Sequence, residues 1–318
     1  MAFEPPRRLV RALDEARREG GGEGGGRWLA GLPELLPRVV DELDLVVERV
    51  HAPGGRSSLV VLVRRADGSP AVLKLAPNRF RPAAERAALT CWDGFGAVRL
   101  LDGGDAGGGG AGSGPDAGGV LLLEKLRPDV SVRSLPEAKS MLEAAGTLRR
   151  LWVEPPGGHD FETVAARTGR QAAAMRRTAA AEGDESGAGR LVDAALAARE
   201  ELLAEPGAAR LLHGTFRQSK VLAADRMPWL AVGPDPVVGE PAFDLARLVR
   251  DRVEDLIAAP SGAAVTRRRV KRLAESLEVD VERLRGWTLF RAVESGTRAL
   301  RLGRTADAEL LLEFATWL

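Results

Sequence analysis

Apolar residues in this chain alternate at a period of two over one early stretch and recur at helical spacing through most of the second half, and that division constrains the fold more than any single residue does. The segments LDLVVERV (43–50), SSLVVLVRR (57–65) and PAVLKLAP (70–77) alternate at a period of two, which sends successive side chains to opposite faces of a strand. ADGS at 66–69 supplies the polar turn that joins the last two as a hairpin. From Pro136 onward the period becomes helical, over 136–152, 162–182, 189–204, 242–258, 264–277, 280–301 and 305–317. Only residues 210–232, with short apolar runs between loops, interrupt that pattern. The expected class is therefore α+β, a small antiparallel sheet followed by a mostly helical lobe.

Smaller signals fill in the first lobe. RRLVRALDEARRE (7–19) carries Leu9 and Leu13 at helical spacing, and the glycine cluster at 20–26 is expected to end that helix. A second short helix is expected over Leu35–Leu43. PAAERAALTCWD (82–93) reads as a helix opened by Pro82. VRLLD (98–102) and GVLLLEKL (119–126) read as two more strands, giving a five-stranded sheet in residues 1–127 and a helical lobe in 128–318. Between them, the glycine-rich stretch 102–119 has nothing to bury and reads as a flexible hairpin loop.

Composition excludes more than it assigns. Lys and Arg number 46 against 45 Asp and Glu, so no global field recruits nucleic acid or an anionic membrane. A single cysteine, Cys91, forbids an intramolecular disulfide, and with three histidines it does not make a tetrahedral structural zinc site. The amino terminus lacks the apolar core of a signal peptide and no run reaches the roughly 20 apolar residues of a membrane span. The expected location is cytoplasmic. Five lysines and no tyrosine beside abundant Arg, Ala and Gly fit a GC-rich coding bias, so most surface arginines carry no functional information.

One lysine stands apart. Lys74 lies inside the apolar strand PAVLKLAP, and a buried ammonium without a partner costs several kcal/mol. In the following helix Glu85, Ala88, Leu89 and Trp92 fall at i, i+3, i+4 and i+7, so Glu85 lies on the inward face. An ion pair between Lys74 and Glu85 answers both problems. Upstream, HAPGGRSSLVVLV (51–63) places Gly54, Gly55, Ser57 and Ser58 between strands, where backbone N–H groups can approach an anion.

Residues 212–246, LHGTFRQSKVLAADRMPWLAVGPDPVVGEPAFDLA, resemble the catalytic segment of the aminoglycoside phosphotransferase family, in its streptomycin 6-kinase and hydroxyurea phosphotransferase branch. That pattern runs H-G-D-x-x-x-x-N-V-L and then W-L-A-I-D-P-K-P-V-V-G-D-P-A-F-D-L-A. GSPAVLKL (68–75), ERAALTCWDGFGAVRLLD (85–102), VLLLEKLRPDVS (120–131) and VDVERLRGWTLFRAVES (279–295) extend the resemblance over most of the chain. It implies a bilobal protein-kinase-like fold in which Lys74 and Glu85 position nucleotide phosphates, the glycine loop covers them and Glu124 lies near the hinge. His213 and Asp244 are then expected to support the catalytic loop, and Trp92, Trp229 and Trp287 to be core.

The chemical positions depart from the pattern. The aspartate that accepts the substrate hydroxyl proton is Thr215, the metal-binding asparagine is Lys220, and the metal-binding aspartate of I-D-P is Gly233. Asp235 stands two residues beyond, where the family has lysine. Loss of a general base alone removes on the order of 10² to 10⁴ in rate; loss of both metal ligands also removes the ion that neutralises the terminal phosphates. Magnesium-dependent transfer is therefore not expected, and no cofactor is certain. The leading expectation is a pseudokinase that binds a small molecule, ATP without magnesium, or a protein partner. The alternatives are an active or altered-chemistry phosphotransferase, and a scaffold or regulatory subunit. Arg217 and Lys220 are a candidate anion site.

Overall fold

The computed structural model describes residues 4–101, 118–182 and 188–318. It divides into two units, Met1–Arg127 and Pro128–Leu318. Among the described residues no helix is long and apolar enough to cross a membrane.

The first unit is built on an antiparallel sheet in sequence order: β1 (Leu45–Val50), β2 (Leu59–Arg65), β3 (Pro70–Pro77) and β4 (Gly118–Glu124). Leu59, Val61 and Val63 pair with Leu75, Leu73 and Ala71, so one apolar row covers one face. Two helices, α1 (Arg7–Ala16) and α2 (Gly24–Glu42), supply Leu9, Leu13, Trp28, Leu32, Leu36 and Val39 to the same core. Lys74 alternates with Leu73 and Leu75 and so projects from the opposite face, which α3 (Pro82–Trp92) serves.

Two expectations about this unit need correction. The sheet has four strands among the described residues, not five: residues around Leu100 make only an isolated bridge to Leu123. The second helix is not confined to Leu35–Leu43. It begins at Gly24 and carries Pro33 and Pro37 within it. Glycines that read as a breaker are there partly for close packing, since a Cβ on Gly25 would lie 3.1 Å from Leu13 Cδ2. Most of the glycine-rich stretch, 102–117, lies outside the described residues, and Gly118 and Gly119 open β4.

The second unit is mostly helical: α4 (Glu137–Leu151), α5 (Val164–Glu182), α6 (Ala188–Ala204), α7 (Pro241–Val249), α8 (Val253–Ala258), α9 (Gly262–Leu277), α10 (Val281–Arg301) and α11 (Thr305–Ala315). α10 packs against α5, α6, α7 and α11. Its Trp287 sets its ring edge-on to Phe243 and Phe290, with centroids 5.2 and 5.8 Å apart. The stretch 210–239 contains β6 (Arg210–Leu212) paired with β9 (Val237–Gly239), and β7 (Val221–Ala223) paired with β8 (Trp229–Ala231); β5 (Arg127–Ser131) joins the latter sheet.

The expected single helix over 242–258 is two. Asp251 leaves the helix to accept the Gln218 N–H at 2.5 Å, and Arg252 takes a left-handed φ of 59°. The Arg252 guanidinium then donates to the Arg133 and Leu135 carbonyls at 2.5 and 3.3 Å. Trp92 and Trp287 are buried as expected, whereas Trp229 is only half-buried.

Candidate functional site

In the first unit, the Lys74 ammonium donates to both oxygens of Glu85, at 2.5 Å to Oε1. The residues are 7% and 4% exposed, so the pair is held in low dielectric and neither charge is dispensable alone. The preceding loop is tight. Gly54 has φ of +73°, and a Cβ there would lie 3.0 Å from the His51 carbonyl oxygen and 3.2 Å from Pro6. A Cβ on Gly55 would lie 3.1 Å from both the carbonyl oxygen and Oγ of Ser58. Ser58 is buried and Ser57 half-buried. Glu124, opposite Ala71 in the β3–β4 ladder, accepts the Arg99 N–H through Oε1 at 2.6 Å.

In the second unit, the loop after β6 is fixed from below by Asp244 at the start of α7. Its two carboxylate oxygens accept the N–H groups of His213 and Gly214 at 2.7 and 2.9 Å. Burial raises the Asp244 pKa, with Arg291 acting in the opposite direction. Arg291, on α10, donates to the carbonyls of Phe243 and Gly214 at 2.7 and 2.8 Å and stacks 4.1 Å over the Phe243 ring. A buried cation thus ties the helix that carries Asp244 to the loop that Asp244 holds.

His213 is fully enclosed, 1% exposed, with its ring edge-on to Phe216. Its Nδ1 faces the Thr215 N–H at 3.4 Å and its Nε2 faces the Val232 carbonyl at 3.2 Å. An acceptor at Nδ1 and a donor at Nε2 describe one neutral tautomer. Burial, reinforced by the nearby Lys220 charge, keeps the His213 pKa well below the usual histidine range. His213 is accordingly a neutral brace between the loop and the segment after β8.

The three positions that depart from the family pattern meet in space. The Lys220 ammonium donates to Thr215 Oγ1 at 2.6 Å and to the Gly233 carbonyl at 2.7 Å. Thr215 Oγ1 also lies 3.4 Å from that carbonyl. Gly233 has φ of +62°, and a Cβ there would meet only the Lys220 ammonium, at 3.8 Å. Asp235 is gripped elsewhere: its carboxylate lies 3.2 Å from Arg167, which also donates to its carbonyl at 3.0 Å. The Arg217 charge acts on Asp251 and Arg250, while Lys220 is bound to Thr215 and Gly233. Among the described residues no group of three or more His, Cys, Asp or Glu side chains could hold a metal ion.

Arg291, Arg167 and Asp251 were not singled out from the sequence. Arg291 carries a signal of the same kind as Lys74, a cation within the apolar run WTLFRAV. Arg167 and Asp251 sit in polar surroundings that give no such cue.

The structure is similar to solved kinases of small molecules. It matches the crystal structure of aminoglycoside phosphotransferase APH(4)-Ia with a TM-score of 0.60 at 13% identity, covering 88% of this chain and 96% of that one. It matches an amicoumacin kinase, solved with AMP-PNP, Ca²⁺ and its ligand, with a TM-score of 0.59 at 12% identity over 89% and 92% of the two chains. At such identities the likeness establishes the kinase-like aminoglycoside phosphotransferase fold. Sequence takes the assignment further: the chain belongs to the aminoglycoside/hydroxyurea antibiotic resistance kinase family, whose model matches residues 44–303. A streptomycin 6-kinase of Streptomyces griseus is 38% identical over 94% of this chain and 95% of its own length. A hydroxyurea phosphotransferase of Kitasatospora aureofaciens is 35% identical over 94% and 84%.

Proposed function

We propose that this chain is a catalytically impaired member of its family, a pseudokinase that binds ATP through the Lys74–Glu85 unit and does not depend on magnesium. The observation that carries this is the Lys220 ammonium, lodged between Thr215 Oγ1 and the Gly233 carbonyl. At the positions where the family pattern has a base and two metal ligands, this chain offers a hydroxyl, a cation and a backbone oxygen.

Those groups do not suit a magnesium ion, which demands oxygen ligands in near-octahedral array at about 2.0–2.1 Å. Lys220 contributes no lone pair when charged, repels a dication, and donates to Thr215 Oγ1 and the Gly233 carbonyl. Thr215 is equally unsuited to take a proton: its hydroxyl is no base near neutral pH, and it accepts a hydrogen bond from the ammonium. What the remaining residues do well is hold geometry. Asp244, Arg291 and neutral His213 fix the loop, and Lys74 offers a positioned ammonium to a phosphate.

A second reading is an active ATP-dependent phosphotransferase, for which the relatives named streptomycin 6-kinase and hydroxyurea phosphotransferase, with the retained Lys74–Glu85 pair, speak. The two part on one assay. Purified protein incubated with labelled ATP, magnesium and either streptomycin or hydroxyurea transfers no phosphate on the pseudokinase reading. Transfer that disappears in Lys74→Ala would establish the second.

A further inference from the structure

The loop 51–58 is held from the amino-terminal side of the chain at two points. Pro6, just before α1, packs on Gly54, such that a Cβ there would stand 3.2 Å from Pro6 Cγ. Two residues on, Arg56 Nη2 donates to Glu15 Oε2, near the end of α1. The Glu15 residue is 6% exposed, and Arg11 lies 3.5 Å from its other oxygen. Arg56 is the more accessible partner, its side chain 31% exposed. α1 does not need this pair to stay in place, because Leu9 and Leu13 are 0% and 4% exposed in the core with Leu59, Leu73 and Leu75. A loop of two glycines and two serines is intrinsically mobile, yet here its one charged residue is tied to a helix that is anchored independently.

We propose that Glu15 is a latch on this loop, and that Arg56 is a phosphate-binding residue of the first unit which an incoming polyphosphate takes over from the Glu15 carboxylate. This rests on the nucleotide-binding reading given above. The chemistry supports the exchange: guanidinium binds carboxylate and phosphate oxygens through the same planar fork of donors. The swap breaks one charge-assisted pair and makes another. Glu15 stays partnered by Arg11 when Arg56 leaves, so no buried carboxylate is abandoned.

Two measurements on the full chain test it. In hydrogen exchange without nucleotide, Glu15→Gln should raise exchange of the loop amides about fivefold, the factor set by a partly screened ion pair of about 1 kcal/mol, and leave the β2–β3 ladder unchanged. In calorimetry with ATP, Glu15→Gln should tighten binding about fivefold and Arg56→Gln weaken it by a similar factor. The double variant should match Arg56→Gln. Unchanged loop exchange in Glu15→Gln overturns the latch. Tightening that persists in the double variant overturns the assignment of Arg56. Absence of ATP binding in every protein, with the loop loosened as expected, supports the latch and overturns the nucleotide reading on which the role of Arg56 depends.

Discussion

The Lys74–Glu85 pair gives the sharpest energetic prediction. Both side chains are nearly inaccessible, 9% and 5% exposed, and the ammonium touches both carboxylate oxygens. Removing one member strands the other in a medium that solvates it poorly, a loss of about 3–5 kcal/mol for buried pairs. Removing both and filling the space with apolar side chains abolishes the desolvation cost along with the attraction, and such exchanges are neutral or stabilising. Glu85→Ala should thus cost about 4 kcal/mol, and Lys74→Met with Glu85→Leu within about 1 kcal/mol of zero. At a urea m-value of about 2 kcal/mol/M the single variant lowers the midpoint by about 2 M. The transition to follow is that of the first unit, reported by Trp28 and Trp92, both buried in it. A single substitution costing under about 1 kcal/mol would refute the claim that the pair is desolvated and interdependent.

Three further outcomes follow from the second unit. His213 is held neutral below its ordinary pKa, so the unfolded chain binds a proton that the folded one refuses as pH falls through 6.5. Stability should decline by about 1.4 kcal/mol between pH 7.5 and 5.5 relative to His213→Gln, as parallel urea titrations would measure, and an equal slope in both proteins would exclude a neutral brace. Gly214→Ala should lose about 3 kcal/mol or more in the same assay, because φ is +76° and the Cβ would fall 2.0 Å from the Asp235 carbonyl oxygen; a small loss would mean the loop relaxes readily. The combined substitution Thr215→Asp, Lys220→Asn and Gly233→Asp should create magnesium-dependent ATP binding, at a cost of about 1–2 kcal/mol for a side chain at the left-handed Gly233 position. If calorimetry shows no magnesium dependence in that variant, the loss of metal binding lies elsewhere.

The parts of the molecule legible from sequence are those where a local rule and the tertiary structure agree. β1, β2 and β3 follow from alternation and the ADGS turn. The contact of Lys74 with Glu85 follows from a charge misplaced in an apolar strand and a carboxylate on the inward face of the next helix. Helix α2 was illegible over its first half, because the glycine cluster through Gly26 reads as a breaker, whereas burial of Trp28, Leu32 and Leu36 along one stripe overrides that propensity. The 242–258 segment misled in the opposite way. Its periodicity is continuous, and only the long-range bond from Gln218 N–H to Asp251 reveals why the helix stops. At the candidate site, the three replaced positions were evident one by one. That Lys220 bridges Thr215 and Gly233 was not, since it depends on how the β7–β8 hairpin folds residue 233 back onto residue 220. The Glu15–Arg56 contact, spanning 41 residues, had no sequence cue.

The proposed function holds that ATP binds through the Lys74–Glu85 pair without magnesium, because Lys220 rests on Thr215 and the Gly233 carbonyl where the family pattern has metal ligands. The deciding experiment is calorimetric titration of the purified protein with ATP, with and without magnesium and alongside Lys74→Ala. Binding should have equal affinity in both conditions and be lost in Lys74→Ala while that variant remains folded. Binding that appears only with magnesium would contradict the proposed function, because some other set of carboxylates would then be holding the metal.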